Sequence, residues 1–374
     1  MIYLDYSATT PVDEGVLDSY VKTTREYIAN ANSIHNLGVK SKELMMKATR
    51  QIANYLDINF NEIIYTSGAS ESNSTAIKGI AFKYQNRGKH IITSYYEHKS
   101  VVENMDYLSS IGYEISYVKL NEDGSIDLKD LESLIREDTI LVSICAVNSE
   151  VGFKAPLKTI RQIINKKNSK TIFHSDMTQA LGKIHINLRD VDLASMSSHK
   201  IYAPKGIGLL YKKNGIELLP LIYGLTDNCP YRGGTPALPL IVSFSKAIRL
   251  SIENLDNNIS KCEVLNDMLR NGLSDLPVHI NSNNMCVPQI FNLSLKKIKS
   301  ETFVRAIEKD NIYISTTTAC SSNEPSSILK HITLDKEINS TSIRISISHL
   351  TTKEEINKFI NCFHKVYKEL LLKE

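Results

Sequence analysis

The sequence predicts an α/β protein whose mainly parallel sheet lies between layers of helices. Three observations support this fold class. The 374 residues, of which 42% are hydrophobic, are enough to bury a sizeable core in two domains or in one large domain. From about residue 62, short apolar runs alternate with helical patterns, which is typical of parallel sheets covered by helices. Polar residues follow several of these runs, where parallel strands place their ligands.

The predicted elements begin with a short N-terminal strand and two helices at 12–29 and 38–56. Further strands are predicted at 63–65, 90–93, 115–118, 140–144 and 171–173. One long helix at 236–257 leads to a smaller region with strands predicted at 290–293, 312–315 and 343–347. The last helix has apolar residues three and four apart, which predicts a buried face at Ile356, Phe359, Ile360, Phe363, Tyr367 and Leu370. Thr351 and Glu354 predict a capping box at its start.

We predict a large domain over 12–235 and a small domain formed by 1–11 and 236–374. The net charge of +3 is too small to hold nucleic acid by itself, so no direct nucleic-acid partner is expected. No run reaches the roughly 18 apolar residues of a membrane span, and the strand-like start leaves no room for a signal peptide, which predicts a cytoplasmic protein. The six scattered cysteines form no CxxC pair, which predicts reduced thiols and no metal site.

A lysine and an aspartate predict a carbonyl cofactor. Lys200 lies in residues 197–206 (SSHKIYAPKG), between a polar turn and a Pro-Lys-Gly turn, and Asp176 lies at the end of a predicted strand. A lysine amine can bind an aldehyde covalently, and a carboxylate can keep a pyridine nitrogen protonated. Together the two residues predict a pyridoxal 5'-phosphate (PLP) site. Neither residue does so alone, because most lysines are solvated surface groups.

Residues 67–71 (SGASE) follow an apolar strand and open a helix. Free backbone N–H groups and the helix dipole would converge on an anion there, which suits the phosphate of the cofactor. A simple helix cap is the alternative for a Ser-Gly turn at this position.

Several runs resemble one family. Residues 3–11 (YLDYSATTP), 65–73 (YTSGASESN), 97–99 (EHK), the Asp176 segment and Ser198-His199-Lys200 resemble the class V aminotransferase fold and, more narrowly, the cysteine desulfurases that supply sulfur for iron-sulfur clusters and tRNA thiolation. The resemblance covers nearly the whole chain. It implies a fold-type I PLP enzyme with a mainly parallel, seven-stranded sheet between helices and a smaller α+β domain.

The resemblance also implies the cofactor site. The residues that would bind PLP are Ala69, Ser70, His98, Ser149, Asp176, Gln179, Ser197, His199, Lys200 and Thr235. Among these, Ser70, Ser197 and His199 would hold the phosphate, and Gln179 would bond the phenolic oxygen. Thr235 would reach the phosphate of the neighbouring subunit, which implies a homodimer.

Two further roles follow from the resemblance. His98 would stack over the pyridine ring and move protons, for which an imidazole pKa of about 6.5 is suited. Arg344 would clamp the substrate carboxylate through a bidentate pair, beside Ser149. Without the resemblance, Arg344 would pass for a surface strand residue and His98 for a partly buried polar one.

Cys320 decides the expected reaction. It lies in residues 315–326 (STTTACSSNEPS), a small polar stretch between a strand and a helix, which predicts an exposed loop. An incidental free thiol is the alternative, but Ala-Cys followed by Glu-Pro-Ser resembles the desulfurase nucleophile loop. Cys145 and Cys362 lie in apolar elements and are predicted to be packing residues.

The predicted function is that of a cysteine desulfurase. L-cysteine would yield L-alanine and a persulfide on Cys320, which passes sulfur to an acceptor protein. Lys200 and His98 would transfer the protons, and Asp176 would keep the ring nitrogen of the cofactor protonated. Ser149 and Ser198 depart from the family's asparagine and glycine, and residues 223–229 replace a glycine-rich segment. One alternative is a class V cysteine or selenocysteine lyase, or a pathway-specific enzyme, that needs no persulfide. Another is a non-catalytic binding subunit of the same fold.

Overall fold

The computed structural model of this chain describes residues 1–224, 230–316 and 328–372. Helices α1 to α11 span, in order, Glu14–Glu26, Asn36–Leu56, Ala69–Lys83, Lys99–Ser110, Leu128–Leu134, Leu157–Asn168, Leu238–Glu253, Leu255–Gly272, Ser300–Glu308, Lys336–Ser340 and Lys353–Leu371. Strands β1 to β13 span, in order, Ile2–Tyr3, Ile63–Thr66, His90–Ser94, Glu114–Val118, Thr139–Ser143, Ile172–Asp176, Leu193–Ser197, Gly208–Lys212, His279–Ile280, Ile290–Ser294, Ile312–Tyr313, Ser315–Thr316 and Ser342–Ser346. Single 3-10 turns lie at Phe60–Glu62, Leu188–Asp190, Ser198–Lys200 and Leu329–His331.

The central sheet has seven strands in the order β2-β8-β7-β6-β5-β3-β4. Strand β8 runs antiparallel to both of its neighbours, and the other neighbouring strands pair in parallel. The predicted α/β class with a mainly parallel sheet is confirmed. Strands β7 and β8 were not among the predicted strands. Three of the five residues of β7 are serine or alanine, so it lacks the apolar run that marked the others.

The middle of the sheet is buried on both faces. Every residue of β3, β5, β6, β7 and β8 is buried, as expected where helices cover a parallel sheet. His174 is a buried polar residue at its centre: its ring nitrogens lie 2.9 Å from Ser143 Oγ and 3.0 Å from Ser195 Oγ, which links β5, β6 and β7. Burial lowers the pKa of His174 to about 4, although nearby Asp176 opposes the shift.

A second sheet, in the order β12-β13-β10-β9, is antiparallel throughout, and β1 pairs in parallel with β11. Helices α8, α9 and α11 cover a separate apolar core on this side. The predicted buried face of α11 is confirmed at Ile356, Phe359, Phe363 and Tyr367. Its capping box is formed by Thr352 and Glu355, one residue later than predicted, because the Thr351 hydroxyl instead accepts a hydrogen bond from Ser348 N.

Helix α7 ends at Glu253, and α8 begins at Leu255. The single helix predicted over 236–257 is therefore two helices. Helix α7 packs against α1 and α2 in the larger core rather than against the small sheet. The predicted domain bounds stay a prediction, and this packing favours a boundary after α7.

The N-terminal segment connects the two sheets. Leu4 N donates to Tyr313 O, Ser7 N donates to Ser346 Oγ, and Thr10 N donates to His199 O. Residues 5–10 thereby lie against the turn that contains Lys200. None of the helices in the described ranges is both long and apolar enough to cross a bilayer.

Candidate active site

Polar side chains meet at the carboxyl edge of the central sheet. Asp176 ends β6, Ser197 ends β7, and Ser67 follows the end of β2. The strand ends of an open α/β sheet are the usual place for a ligand. The structure thus places these predicted residues along one edge of the sheet.

Lys200 lies on the 3-10 turn that follows β7 and is half-buried. Its Nζ donates to the carbonyl oxygens of Ser7 at 2.5 Å and Ala8 at 2.7 Å, so the N-terminal segment orients the amine. Ser198, which departs from the family glycine, is fully buried, and its hydroxyl donates to Pro204 O at 2.5 Å. This serine is accommodated without an unpaired hydroxyl.

Asp176 is buried and well bonded. Its Oδ1 accepts from Thr178 N at 2.9 Å, and its Oδ2 accepts from Asn73 Nδ2 at 2.8 Å. Asn73 Nδ2 also donates to Ser100 Oγ at 2.9 Å. These bonds hold the carboxylate in one orientation at the end of β6.

His98 caps the N-terminus of α4, and its side chain is exposed on one side. Its Nδ1 accepts from Ser100 N at 3.1 Å, so a neutral ring has its proton on Nε2. Partial burial lowers its pKa, Asp176 opposes this shift, and Lys200 adds to it. The neutral ring can therefore donate through Nε2 toward the edge of the sheet.

The start of α3 fits an anion. A side chain added at Gly68 would meet no atom within 4 Å, so open space lies beside the helix terminus, and Ser70 is exposed in the first turn. Gly208 on β8 lies so close to Gly68 that a Cβ would come within 2.6 Å of its backbone. A fifteen-residue helix directs its free N–H groups and positive dipole end into this space.

His199 lies beside Lys200, and its Nδ1 is 3.1 Å from Thr9 Oγ1. Burial, with help from the charges of Lys200 and Lys205, lowers the pKa of His199 to about 4. The ring is therefore neutral at pH 7. Thr235 is exposed just before α7, where a second chain could reach it.

Arg344 lies on β13 and is only 5% exposed. Its Nη2 donates to Asp5 Oδ1 at 2.8 Å and its Nη1 donates to the Ser149 carbonyl at 2.9 Å. Its Nε is buried with no hydrogen-bond partner among the described residues. Arg344 is therefore a buried cation whose Nε donor is unused, and the predicted neighbour Ser149 contacts it through its backbone.

Cys320 lies outside the described residues, as do Cys229 and most of the altered 223–229 segment. The structure describes the residues that flank 317–327 on both sides. On one side, Ser315 pairs with Arg344 across β12 and β13. On the other side, Ile328 is fully buried and the His331 ring stacks on Tyr95, with ring centroids 3.5 Å apart. The flank at Ser315 thus lies beside Arg344, a residue of the candidate site.

The similarity of this chain to known proteins agrees with this geometry. The aminotransferase class-V family model matches residues 2–359 of the chain. The chain belongs to this family. It is 35% identical over 377 residues to the cysteine desulfurase IscS of Dictyoglomus turgidum, a match that covers 99% of the chain and 95% of that relative.

Two solved structures show the same architecture. A NifS-like protein superposes with a TM-score of 0.93 at 35% identity and covers 99% of both chains. A structure described as SspA in complex with cysteine superposes with a TM-score of 0.82 at 32% identity and covers 93% of this chain and 99% of that one. The predicted family and the fold-type I class are confirmed. Members of this family depend on PLP.

The described residues fit PLP. The space beside Gly68 at the start of α3 can take a phosphate, Asp176 offers a buried carboxylate, and Lys200 offers an amine. Thr178 Oγ1 is buried beside this carboxylate and has no partner among the described residues. These features supply the donors and acceptors that a phosphorylated pyridine aldehyde requires.

Three residues that the sequence did not indicate form hydrogen bonds with predicted site residues. They are Asn73, Ser100 and Asp5. Asn73 and Asp5 lie in the runs that carried the family resemblance, and Asn73 follows Ala69 by one helical turn, so helical spacing was an available signal. No local pattern indicates that Ser7 would accept from Lys200, because the two residues are distant in the chain.

Proposed function

We propose that this chain is a PLP-dependent cysteine desulfurase that converts L-cysteine to L-alanine and a persulfide on Cys320. The observation that carries the proposal is the placement of Lys200, Asp176 and the open start of α3 along one sheet edge. Family membership and the desulfurase names of the relatives support it. The cysteine complex of one structural neighbour supports L-cysteine as the substrate.

PLP, when bound, supplies an aldehyde and an electron-withdrawing ring. Lys200 would hold the aldehyde, and Asp176 would keep the ring nitrogen protonated. The N-terminus of α3 with Ala69 and Ser70, together with Ser197 and His199, would hold the phosphate. Neutral His199 would do so as a donor, since its low pKa leaves it uncharged at pH 7.

Substrate binding is assigned to Arg344. Its unpaired Nε and its guanidinium plane suit a carboxylate, which accepts two parallel N–H bonds from such a group. Asp5 and the Ser149 carbonyl hold the guanidinium in place. His98 and Lys200 would move the proton at the α-carbon of the substrate, and Gln179 would donate to the phenolic oxygen of the cofactor.

The Cys320 thiolate would attack the sulfur of L-cysteine. The bond between that sulfur and the β-carbon would break, its electron pair would stay on the carbon side, and the carbon would take up a proton to become the methyl group of L-alanine. The sulfur would remain on Cys320 as a persulfide until an acceptor protein takes it. The exposure of Thr235 supports a homodimer in which this threonine reaches the phosphate bound by the neighbouring chain. We propose in addition that an acceptor protein takes the sulfur and that the enzyme works in the cytoplasm.

The test is a mass measurement after incubation with L-cysteine. The parent protein should gain the mass of about one sulfur on the peptide that contains Cys320, as transfer through a covalent sulfur intermediate requires. Cys320→Ser should lose both this mass and nearly all alanine release, because a hydroxyl is a poor nucleophile toward sulfur.

Cys362→Ser is the matched control, since Cys362 is partly exposed on α11 and should be dispensable. If Cys320→Ser releases alanine and sulfide at the parent rate, the proposal is wrong and the protein is a lyase. If the added sulfur is found on Cys229, that residue and not Cys320 is the persulfide carrier.

A further inference from the structure

Lys183 is a buried lysine that the proposed reaction does not use. It is only 8% exposed and follows Gly182, whose φ of +71° gives the left-handed turn that directs the chain inward. Its Nζ donates to Gln179 Oε1 at 2.5 Å. Among the described residues, no carboxylate forms an ion pair with it.

Burying such a lysine costs free energy of folding. Lysines are almost never fully buried unless they are paired, because the ammonium loses its hydration. Burial, helped by the charges of Lys200 and Arg344, lowers the pKa of Lys183 to about 7, and Cys262 opposes this shift. A hydrophobic residue would fill the space with less strain on the fold, so a structural role explains the lysine poorly.

The bond to Gln179 has a geometric consequence. Gln179 Oε1 accepts from Lys183, and Gln179 Nε2 donates to Ser7 O at 2.9 Å. The same Ser7 carbonyl accepts from Lys200 Nζ. Because a donor faces one end of the amide and an acceptor faces the other, the amide cannot flip without losing both bonds. One hydrogen of Nε2 stays available to the site.

We propose that Lys183 is a positioning residue, which fixes the Gln179 amide so that an N–H rather than the carbonyl faces the phenolic oxygen of the cofactor. The inference rests on the proposed function, in which Gln179 bonds that oxygen. Without the lysine, Oε1 is unpaired and only the bond from Nε2 to Ser7 O holds the amide, so a flip costs one hydrogen bond instead of two. If Gln179 Oε1 faced the phenolic oxygen of the cofactor, it would repel the negative charge of that oxygen. This repulsion would favour the protonated form of the bound cofactor.

The test is the visible absorbance of the bound cofactor as a function of pH, measured without substrate. Lys183→Met keeps the length and burial of the side chain but removes its donor. It should raise the pH midpoint of the absorbance change by about one unit, the size of effect expected from one neighbouring polar or charged group. Lys212→Met is the matched control, because Lys212 is 4% exposed and donates to Ile216 O, at the end of β8 away from Gly68. Its midpoint should equal that of the parent.

A double-mutant comparison separates action through Gln179 from direct action. In a Gln179→Leu background, Lys183→Met should add no further shift. An equal shift in both backgrounds, or no shift in the parent background, overturns the proposal.

Lys183→Gln offers a second variant that retains an N–H donor without the charge. It should keep most of the parent midpoint, and it remains informative if Lys183→Met does not fold. A full shift in Lys183→Gln would mean that charge rather than the hydrogen bond matters, which contradicts the proposal. A parent protein that binds no PLP at all would instead contradict the proposed function.

Discussion

Asn73 donates a side-chain hydrogen bond to Asp176 Oδ2 at a distance of 2.8 Å. The other hydrogen of the same Nδ2 goes to Ser100 Oγ, which in turn lies 2.9 Å from His98 Nδ1. The carboxylate proposed to hold the ring proton and the imidazole proposed to move the substrate proton are therefore joined by one hydrogen-bonded chain. A change at Asn73 should affect both.

Asp176→Asn should separate cofactor binding from chemistry. The amide keeps the shape of the side chain but cannot stabilise a protonated ring nitrogen, while Lys200 is untouched. Alanine formation should fall by about 100-fold or more, the usual effect of removing one electrostatic stabiliser. Part of the cofactor should stay bound, as its absorbance would show. Turnover near the parent rate would refute the role of Asp176.

Asn73→Leu should destabilise the fold and slow the reaction. It leaves the buried Asp176 Oδ2 without its donor, and loss of a hydrogen bond to a charged group costs about 2 kcal/mol. Urea unfolding would measure this loss, and alanine formation would report the effect on the site. Asn266→Leu is the control, because Asn266 is also buried but bonds the Pro288 carbonyl and Arg270 Nε rather than a residue of the candidate site. It should leave turnover unchanged.

Lys200 should be the attachment point of the cofactor. Borohydride reduction of the yellow protein should add the mass of the cofactor to the peptide that contains Lys200, since reduction fixes a lysine bound to an aldehyde. Lys200→Ala should abolish this label. Lys205 and Lys99 are the nearby lysines to compare, and a label on either would overturn the assignment.

Arg344→Lys should weaken substrate binding more than cofactor binding. A lysine keeps the charge but loses the planar fork that bonds a carboxylate at two points. The KM for L-cysteine should rise by about tenfold or more, as expected for the loss of roughly one charge-assisted hydrogen bond. Arg270→Lys is the control, because Arg270 bonds Asn266 and lies over the Phe291 ring in the small core. Unchanged KM in Arg344→Lys would contradict the assignment.

The protein should lose stability in acid partly through His174. The pKa of His174 is about 4 in the fold, below the value of about 6.5 for an unfolded histidine. The unfolded state therefore binds the proton first, so stability is present above pH 6.5 and is lost as the pH falls toward 4. Urea unfolding across this range should show a steeper loss for the parent than for His174→Gln. His279→Gln, at an exposed position, should leave the slope unchanged, and parallel curves for all three proteins would contradict the prediction.

Local patterns predicted most of the fold. Strands such as β3 and β5 are apolar runs, and α11 shows regular apolar spacing, so each forms its own signal. Strand β7 lacks a continuous apolar run, because small side chains are enough to fill the space where helices cover both faces of the sheet. The break at Asn254 was missed because both helices beside it continue the same helical pattern.

The site was predicted less completely, for a physical reason. Lys200, Asp176 and His98 follow strands, and sheet topology alone brings strand ends together. Ser7 and Asp5 contribute through contacts between distant parts of the chain, Ser7 with Lys200 and Asp5 with Arg344, and no spacing within the sequence encodes those contacts. The role of Cys320 stays a prediction, since that residue lies outside the described ranges.

The N-terminal segment has a consequence for folding. Ile2 pairs with Ile312, and Ser7 bonds Ser346 while its carbonyl holds the Lys200 amine. On the ribosome, residues 2–7 must wait for residues 312–346 before they find their partners, and such long-range contacts form slowly. The central sheet can form earlier, but Lys200 is fully oriented only after β13 has been made. We therefore expect nascent chains that end before β13 to fold their sheet and yet to bind the cofactor poorly.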